Sequence, residues 1–265
     1  MDLTDTRYEV ENGLAWITID RPDRMNAFRA RTVDELIHLF TRGWASSEVG
    51  VICLTGAGDR AFCAGGDQKQ RAETGDYGPS ESGLFEIERL HRLIREVPKP
   101  VIAAVNGVAI GGGHVLHVVC DVTIAAEAAS FGQVGPRVGS FDGGYGTAYL
   151  ARVVGEKRAR EIWFRCRRYD AVTAERWGLV NQVVPLDQLR DVVRVLGRRH
   201  ARAVPDRAAV PQAVVQRRHR AHRRDRRAVV QRTRAVPRDR RGEGRSACVQ
   251  REPRSGLRAA PGGRV

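Results

Sequence analysis

The last quarter of this 265-residue chain lacks most of what a folded core is built from. After Leu196 it contains no Phe, Tyr, Trp or Ile, Leu257 is the only leucine beyond residue 200, and no lysine follows Lys157. A segment such as Arg217-Arg218-His219-Arg220-Ala221-His222-Arg223-Arg224 offers no apolar face to bury. Elsewhere, no apolar run approaches the ~20 residues needed to span a bilayer, and the acidic, polar start argues against a signal peptide. The five cysteines (Cys53, Cys63, Cys120, Cys166 and Cys248) form no C-x-x-C pair and no metal-ligand spacing. Cys53 and Cys120 lie in apolar surroundings, where a free thiol acts as a small hydrophobe. These absences predict a cytoplasmic protein with no metal and no membrane partner.

The net charge of +14 would ordinarily point to nucleic acid. Its distribution weakens that inference. Residues 201–265 hold 19 Arg against five acids, an excess equal to the charge of the whole chain, while residues 1–200 balance 26 basic against 26 acidic side chains. The sequence divides into a core over 1–195 and an Arg-rich tail over 196–265. Three readings of the tail stay open. It is an RNA-binding arm, a solvated linker, or a GC-rich gene read out of frame, which yields Arg, Ala, Pro and Gly without Lys. The composition favours the last, and a nucleic-acid partner is disfavoured.

Within the core, Tyr8–Asp20 alternates around Glu11-Asn12-Gly13 and predicts a hairpin. Thr32 can cap a helix from Val33 to Ala45, and Leu84–Val97 has helical spacing ended by Pro98 and Pro100. Strand-like runs at Val49–Leu54, Val101–Val105, Val122–Ala126 and Val180–Val184 alternate with helical patterns at Gly113–Cys120, Gly144–Val153 and Lys157–Arg165. The spacing predicts an α/β fold with a mainly parallel sheet.

Two glycine turns follow strands: Ala64-Gly65-Gly66-Asp67-Gln68 and Ile110-Gly111-Gly112-Gly113. Glycine admits close approach of the backbone to a ligand, and a helix N-terminus presents unpaired N–H groups. Spacing alone leaves these as ordinary turns. His114 and His117 lie three apart without a third ligand, which favours packing over a metal. Lys69 and Arg71 are candidates for phosphate contact, with a solvated loop as the default reading. Ser140 and Asp142 read as a helix N-cap pair on sequence grounds.

The fragments Arg-Pro-Asp-Arg-Met-Asn-Ala-Phe (21–28), Phe-Cys-Ala-Gly-Gly-Asp (62–67), Lys-Pro-Val-Ile-Ala-Ala-Val-Asn-Gly (99–107), Gly-Gly-Gly (111–113) and Cys-Asp (120–121) resemble, in order, motifs of the crotonase (enoyl-CoA hydratase/isomerase) superfamily. The resemblance covers about residues 5–190. It implies a crotonase-like spiral of ββα units binding an acyl-CoA, with coenzyme A entering as part of the substrate. The backbone N–H groups of Gly66 and Gly112 would hold the thioester oxygen and stabilise an enolate. Ala64, Gly65, Asp67, Gln68 and Tyr77 would contact substrate, as would Val108, Ala109, Ile110, Gly111 and Val134. The family's assemblies imply a homotrimer or homohexamer.

The family's hydratases carry one Glu two residues after the Gly triplet and another in a Phe-Gly-x-x-Glu turn, where this chain has Val115 and Gly135. Neither moves a proton, so simple hydration is rejected. Residues 65–68, 111–117 and 139–146, followed by Lys157–Trp163, resemble the 1,4-dihydroxy-2-naphthoyl-CoA synthases, which close a ring in o-succinylbenzoyl-CoA by an intramolecular Claisen condensation. In that branch bicarbonate replaces the missing carboxylate, which implies a site at Gln133, Gly135 and Trp163. Ser140 and Asp142 match residues handling the substrate's second carboxyl end. A second branch, the ring-opening 2-ketocyclohexanecarboxyl-CoA hydrolases, is favoured by Met25–Arg29 and Val134, and less so by the remainder. Both kinds of enzyme close the pocket with C-terminal helices, and the synthases draw a Tyr and a Lys from them that this tail does not contain.

Overall fold

The computed structural model describes residues 1–141 and 144–201. Strands β1 (Thr6–Glu11) and β2 (Leu14–Ile19) form the expected hairpin across Asn12 and Gly13, whose φ values of 51° and 81° suit an Asn-Gly turn. Helix α1 (Ala30–Ala45) begins three residues before the expected start, because the cap is Arg29 and not Thr32. The Thr32 hydroxyl instead accepts the Arg29 N–H at 3.1 Å and donates to the buried Asp5 carboxylate at 2.6 Å. There follow β3 (Val51–Gly56), β4 (Ala61–Cys63), α2 (Gln68–Thr74), α3 (Ile87–Glu96), β5 (Val101–Val105), β6 (Val108–Ile110), α4 (Gly112–Val119), β7 (Val122–Ala126) and β8 (Ser130–Gly132). One π-helical turn over Tyr145–Tyr149 leads into α5 (Leu150–Val154), α6 (Glu156–Arg165), β9 (Tyr169–Asp170), α7 (Ala171–Arg176), β10 (Gln182–Val184) and α8 (Leu186–Ala201).

Among the described residues the strands form two sheets. The larger runs β1-β2-β3-β5-β7-β10 and is parallel except at the hairpin. Its inner strands β2, β3, β5 and β7 are buried on both faces, so alternate residues enter separate cores. Ala15, Ile17, Ile52, Leu54, Val101 and Ala103 pack toward α1, α3 and α4, while Leu14, Trp16, Val51, Cys53, Ile102 and Ala104 meet Leu189 and Val193 of α8. The smaller sheet, β4-β6-β8-β9, has strands of only two or three residues, too short for a periodic pattern to show. Helix α2 was expected as loop and is nucleated by Asp67, whose side chain accepts the Gln70 N–H. Leu84, expected to open α3, is 65% exposed outside the helix.

Helix α8 was not foreseen either. Its Leu189, Val192, Val193 and Leu196 recur at helical spacing against the sheet, and it crosses the expected boundary at residue 195. The tail beyond it, with its RNA-binding, linker and frame-shift readings, lies outside the described residues. Among the described residues no helix is long and apolar enough to cross a membrane, and no cluster of three His, Cys, Asp or Glu side chains is placed to hold a metal.

His114 and His117 pack inside α4 against Phe131, with both side chains fully buried. His117 Nδ1 meets Thr123 Oγ1 at 3.2 Å and its Nε2 meets His114 Nδ1 at 3.1 Å, while His114 Nε2 has no partner. Burial pushes His114 down to about 3, and burial with the neighbouring His114 lowers His117 as well. Below its ordinary value near 6.5 the unfolded chain takes up protons that these rings refuse, so stability falls with pH between about 6.5 and 3. Urea unfolding at pH 7.5 and pH 5.5 should show a loss of about 1.4 kcal/mol per pH unit per ring below pH 6.5; a flat profile would contradict the burial.

Candidate active site

Both glycine turns leave the C-terminal ends of paired strands. Strands β4 and β6 run parallel with Ala61 opposite Val108 and Cys63 opposite Ala109, so the chain exits both at one edge. A Cβ on Gly65 would lie 3.1 Å from the Gly112 nitrogen and 3.0 Å from the Ile110 oxygen, and Gly65 itself has φ +87°. Only glycine satisfies both the conformation and the contact. A methyl on Gly113 would overlap the Cys63 carbonyl, which seats the first turn of α4 directly on β4.

The N–H groups of Gly66 and Gly112 have different reasons for being free. Phe28 forms a single parallel bridge around Gly66: its N–H donates to Gly65 O and its carbonyl accepts from Asp67 N, each at 2.8 Å. The intervening Gly66 N–H faces away from that bridge, and no described carbonyl takes it. Gly112 is the first residue of α4, where no carbonyl one turn back exists to accept its N–H. Both glycines are half-exposed. Two unpaired donors from abutting turns suit an oxygen that gains negative charge.

Tyr77 joins this pair. A Cβ on Gly66 would fall 2.5–2.7 Å from Tyr77 ring and hydroxyl atoms, so the phenol rests on the first glycine. Tyr77 also stacks on Phe85 with centroids 4.5 Å apart, and its carbonyl accepts the Ala30 N–H. Cys63 lies beneath the turn, but burial pushes its thiol up to about 12, so it stays protonated and is no nucleophile.

Several expected contacts are placed differently. Asp67 is 5% exposed and its carboxylate is committed, Oδ1 to the Gln70 N–H and Oδ2 to Arg21 at 3.0 Å, so it supports the turn. Burial opposes its charge, but the Gln70 N–H and Arg21 together hold the carboxyl below the usual range. Ala109 is fully buried, which removes its side chain from any pocket wall. Ala64, Val108, Ile110 and Gly111 are half-buried beside the two donors, and Gly111 ties this turn to β8 through its N–H on Gly132 O. Gln68 is exposed and donates to Gly66 O at 3.0 Å. Lys69 and Arg71 are exposed, with Arg71 6.0 Å from the Tyr77 ring.

Val115, at the first hydratase carboxylate position, is fully buried. At the second, Gly135 opens a short 3-10 turn, and a Cβ there would meet Ser140 O at 2.6 Å. The turn is closed further by the Ser140 N–H on Gly135 O at 2.9 Å, so a longer side chain at 135 requires the 135–140 loop to open. Val134 is half-buried beside it. Phe141 follows Ser140 and packs on Trp163 at 5.0 Å, which brings Gly135, Ser140 and Trp163 into one neighbourhood. Asp142 lies outside the described residues.

Bicarbonate needs several donors around it. Gln133 Nε2 is buried without a partner and fits that need. The Trp163 indole N–H, however, donates to Gly146 O at 2.8 Å, and the space beside Gly135 holds the Ser140 carbonyl, an acceptor that repels an anion. Of the two side chains expected there, only Gln133 offers a free donor, since the Trp163 N–H is already taken. They do not fit the anion.

The sequence profile of the enoyl-CoA hydratase/isomerase family matches residues 9–250. The chain belongs to that family. Solved relatives include an enoyl-CoA hydratase from Bacillus anthracis, 31% identical over 80% of this chain and 83% of that one, with a TM-score of 0.74. An enoyl-CoA hydratase/carnithine racemase from Magnetospirillum magneticum is 29% identical over 82% and 81%, with a TM-score of 0.75. An enoyl-CoA hydratase from Mycobacterium avium subsp. paratuberculosis is 28% identical over 82% and 86%, with a TM-score of 0.72. The α/β crotonase-like fold expected from the motifs is therefore the fold of this chain, and the coarse activity it carries is that of an acyl-CoA enzyme.

Sequence reasoning overlooked Arg21 and Asp5, which hold this family site together. Arg21 bridges Asp67 at 3.0 Å and Asp5 at 3.6 Å, and Arg29 grips Asp5 through two hydrogen bonds of 2.8 Å. Burial disfavours the Asp5 charge, yet Arg29, Thr32 and Arg21 outweigh it and lower its carboxyl. Arg21→Ala takes the ion-pair partner from the buried Asp67, while Asp5 keeps Arg29 and Thr32, and should cost about 3 kcal/mol, whereas Arg7→Ala, which frees only the half-exposed Asp20, should cost under about 1 kcal/mol. Urea midpoints of the two variants check the contrast.

Proposed function

We propose that this enzyme forms a carbon–carbon bond at an acyl-CoA enolate, and that its reaction is the ring closure of o-succinylbenzoyl-CoA to 1,4-dihydroxy-2-naphthoyl-CoA. One observation carries the reading. The Gly66 and Gly112 donors are free at abutting turns, while both hydratase carboxylate positions hold residues that cannot move a proton, Val115 and Gly135. The site is equipped to stabilise an enolate and not equipped to add water by a pair of glutamates.

In this scheme the thioester oxygen lies between the two N–H groups, which lowers the cost of removing the α-proton. The α-proton passes to the Asp142 carboxylate, the α-carbon attacks the aryl carboxyl carbon, and one carboxyl oxygen takes that proton back together with one from solvent and leaves as water. Ser140 stands at the mouth of the Gly135 turn, suited to orient that carboxyl. Asp142, as proton donor or acceptor, enters by resemblance to the synthases alone. The Tyr77 and Phe85 rings, stacked at 4.5 Å, would give an apolar wall for an aryl group. No step is routed through bicarbonate.

Purified full-length protein incubated with o-succinylbenzoyl-CoA should produce naphthoyl-CoA, with little hydration of crotonyl-CoA, and should be assayed with and without bicarbonate. Turnover confined to 2-ketocyclohexanecarboxyl-CoA would replace the proposal with ring opening. Efficient hydration of crotonyl-CoA would return the chain to the activity named for its solved relatives.

A further inference from the structure

Phe28 touches both glycine turns. Its backbone brackets Gly66 through the hydrogen bonds to Gly65 O and from Asp67 N. Its ring presses on the other donor: the three atoms nearest a Cβ on Gly112 all belong to Phe28, at 2.5, 2.8 and 3.7 Å. Gly112 has no positive φ, so its backbone would accept alanine, and the Phe28 ring is what excludes it. The ring is 4% exposed and is backed by Phe85 and Tyr77 at centroid distances of 6.1 and 6.4 Å.

We propose that Phe28 is a positioning residue that sets the separation and aim of the Gly66 and Gly112 N–H groups. The inference rests on the oxyanion-hole reading above. Hydrogen-bond donors act on a developing oxyanion only when both reach it at about 2.7–3.1 Å, and a displacement of about 1 Å costs on the order of a hundredfold in rate. The turns already abut through Gly65 and Gly113, and the Phe28 ring adds a side-chain contact at the second donor itself. A flat, rigid ring fixed at its backbone to one turn and in van der Waals contact with the other acts as a gauge between them. Phe28 itself makes no bond to the substrate in this scheme, and its effect passes wholly through the two glycines.

An unreactive probe separates this role from the chemistry. Benzoyl-CoA labelled with 13C at the thioester carbonyl, bound to the full chain, should show its carbonyl stretch shifted to lower frequency by the two N–H donors. Phe28→Ala should lose most of that shift while weakening benzoyl-CoA binding by less than about tenfold, and kcat should fall by about ten- to a hundredfold. Gly112→Ala alone should also lose the shift, because its methyl meets the ring. The double variant Phe28→Ala/Gly112→Ala should recover part of it, since the methyl then occupies vacated space. If Phe28→Ala does not fold, Phe28→Leu and the pair Gly112→Ala and Phe28→Leu/Gly112→Ala decide the same question. A full shift in the folded Phe28 variants, or additive losses in the double variant, overturns the proposal and leaves the oxyanion hole intact. No shift, or no binding, with the unsubstituted protein overturns both.

Discussion

The pairing of β4 with β6 is the constraint on which the rest of the site depends. Each strand is three residues long, and each is followed at once by a glycine turn. Parallel pairing brings the two exits to the same edge, and a helix begins immediately beyond the second. The residues contribute little else to the chemistry. What they supply is proximity: two backbone donors, about forty-five positions apart in sequence, that need only a few ångströms of common space.

That proximity is protected by charge as well as by packing. The turn after Gly66 continues into Asp67, and Asp67 is tied through Arg21 to Asp5 and through Asp5 to Arg29 and Thr32. Buried ions are costly unless every partner is present, so the network tolerates one geometry and resists drift. Glu35 extends the same logic to the N-terminus, where it accepts hydrogen bonds from Thr4, Asp5 and Thr6. The first strand, the first helix and the first donor turn are thereby held in register with one another.

The second half of the site is built in another way. Around Gly135 the described residues form no ion pair. The loop folds on itself through the Ser140 N–H and carbonyl, and Trp163 satisfies its indole on the widened turn at Gly146. Several solved relatives are named hydratases, and the fold is shared with them, but Val115 and Gly135 carry no carboxylate. One scaffold thus carries different side chains at corresponding positions.

The sequence by itself determined the hairpin, the parallel core strands and the two donor turns. Each is encoded locally: Asn12-Gly13 by its positive φ, the strands by continuous apolar runs, the turns by glycines that nothing larger could replace. It also determined that Val115 and Gly135 carry no acid, since that is a matter of identity alone. Helix α8 was encoded by Leu189, Val193 and Leu196 but was masked by the arginines between them. The committed state of Asp67, the burial of Ala109, the spent N–H of Trp163 and the contact of Phe28 with Gly112 were decided only by tertiary structure. Each of these depends on which partner arrives from a distant segment, and no local pattern of residues records that.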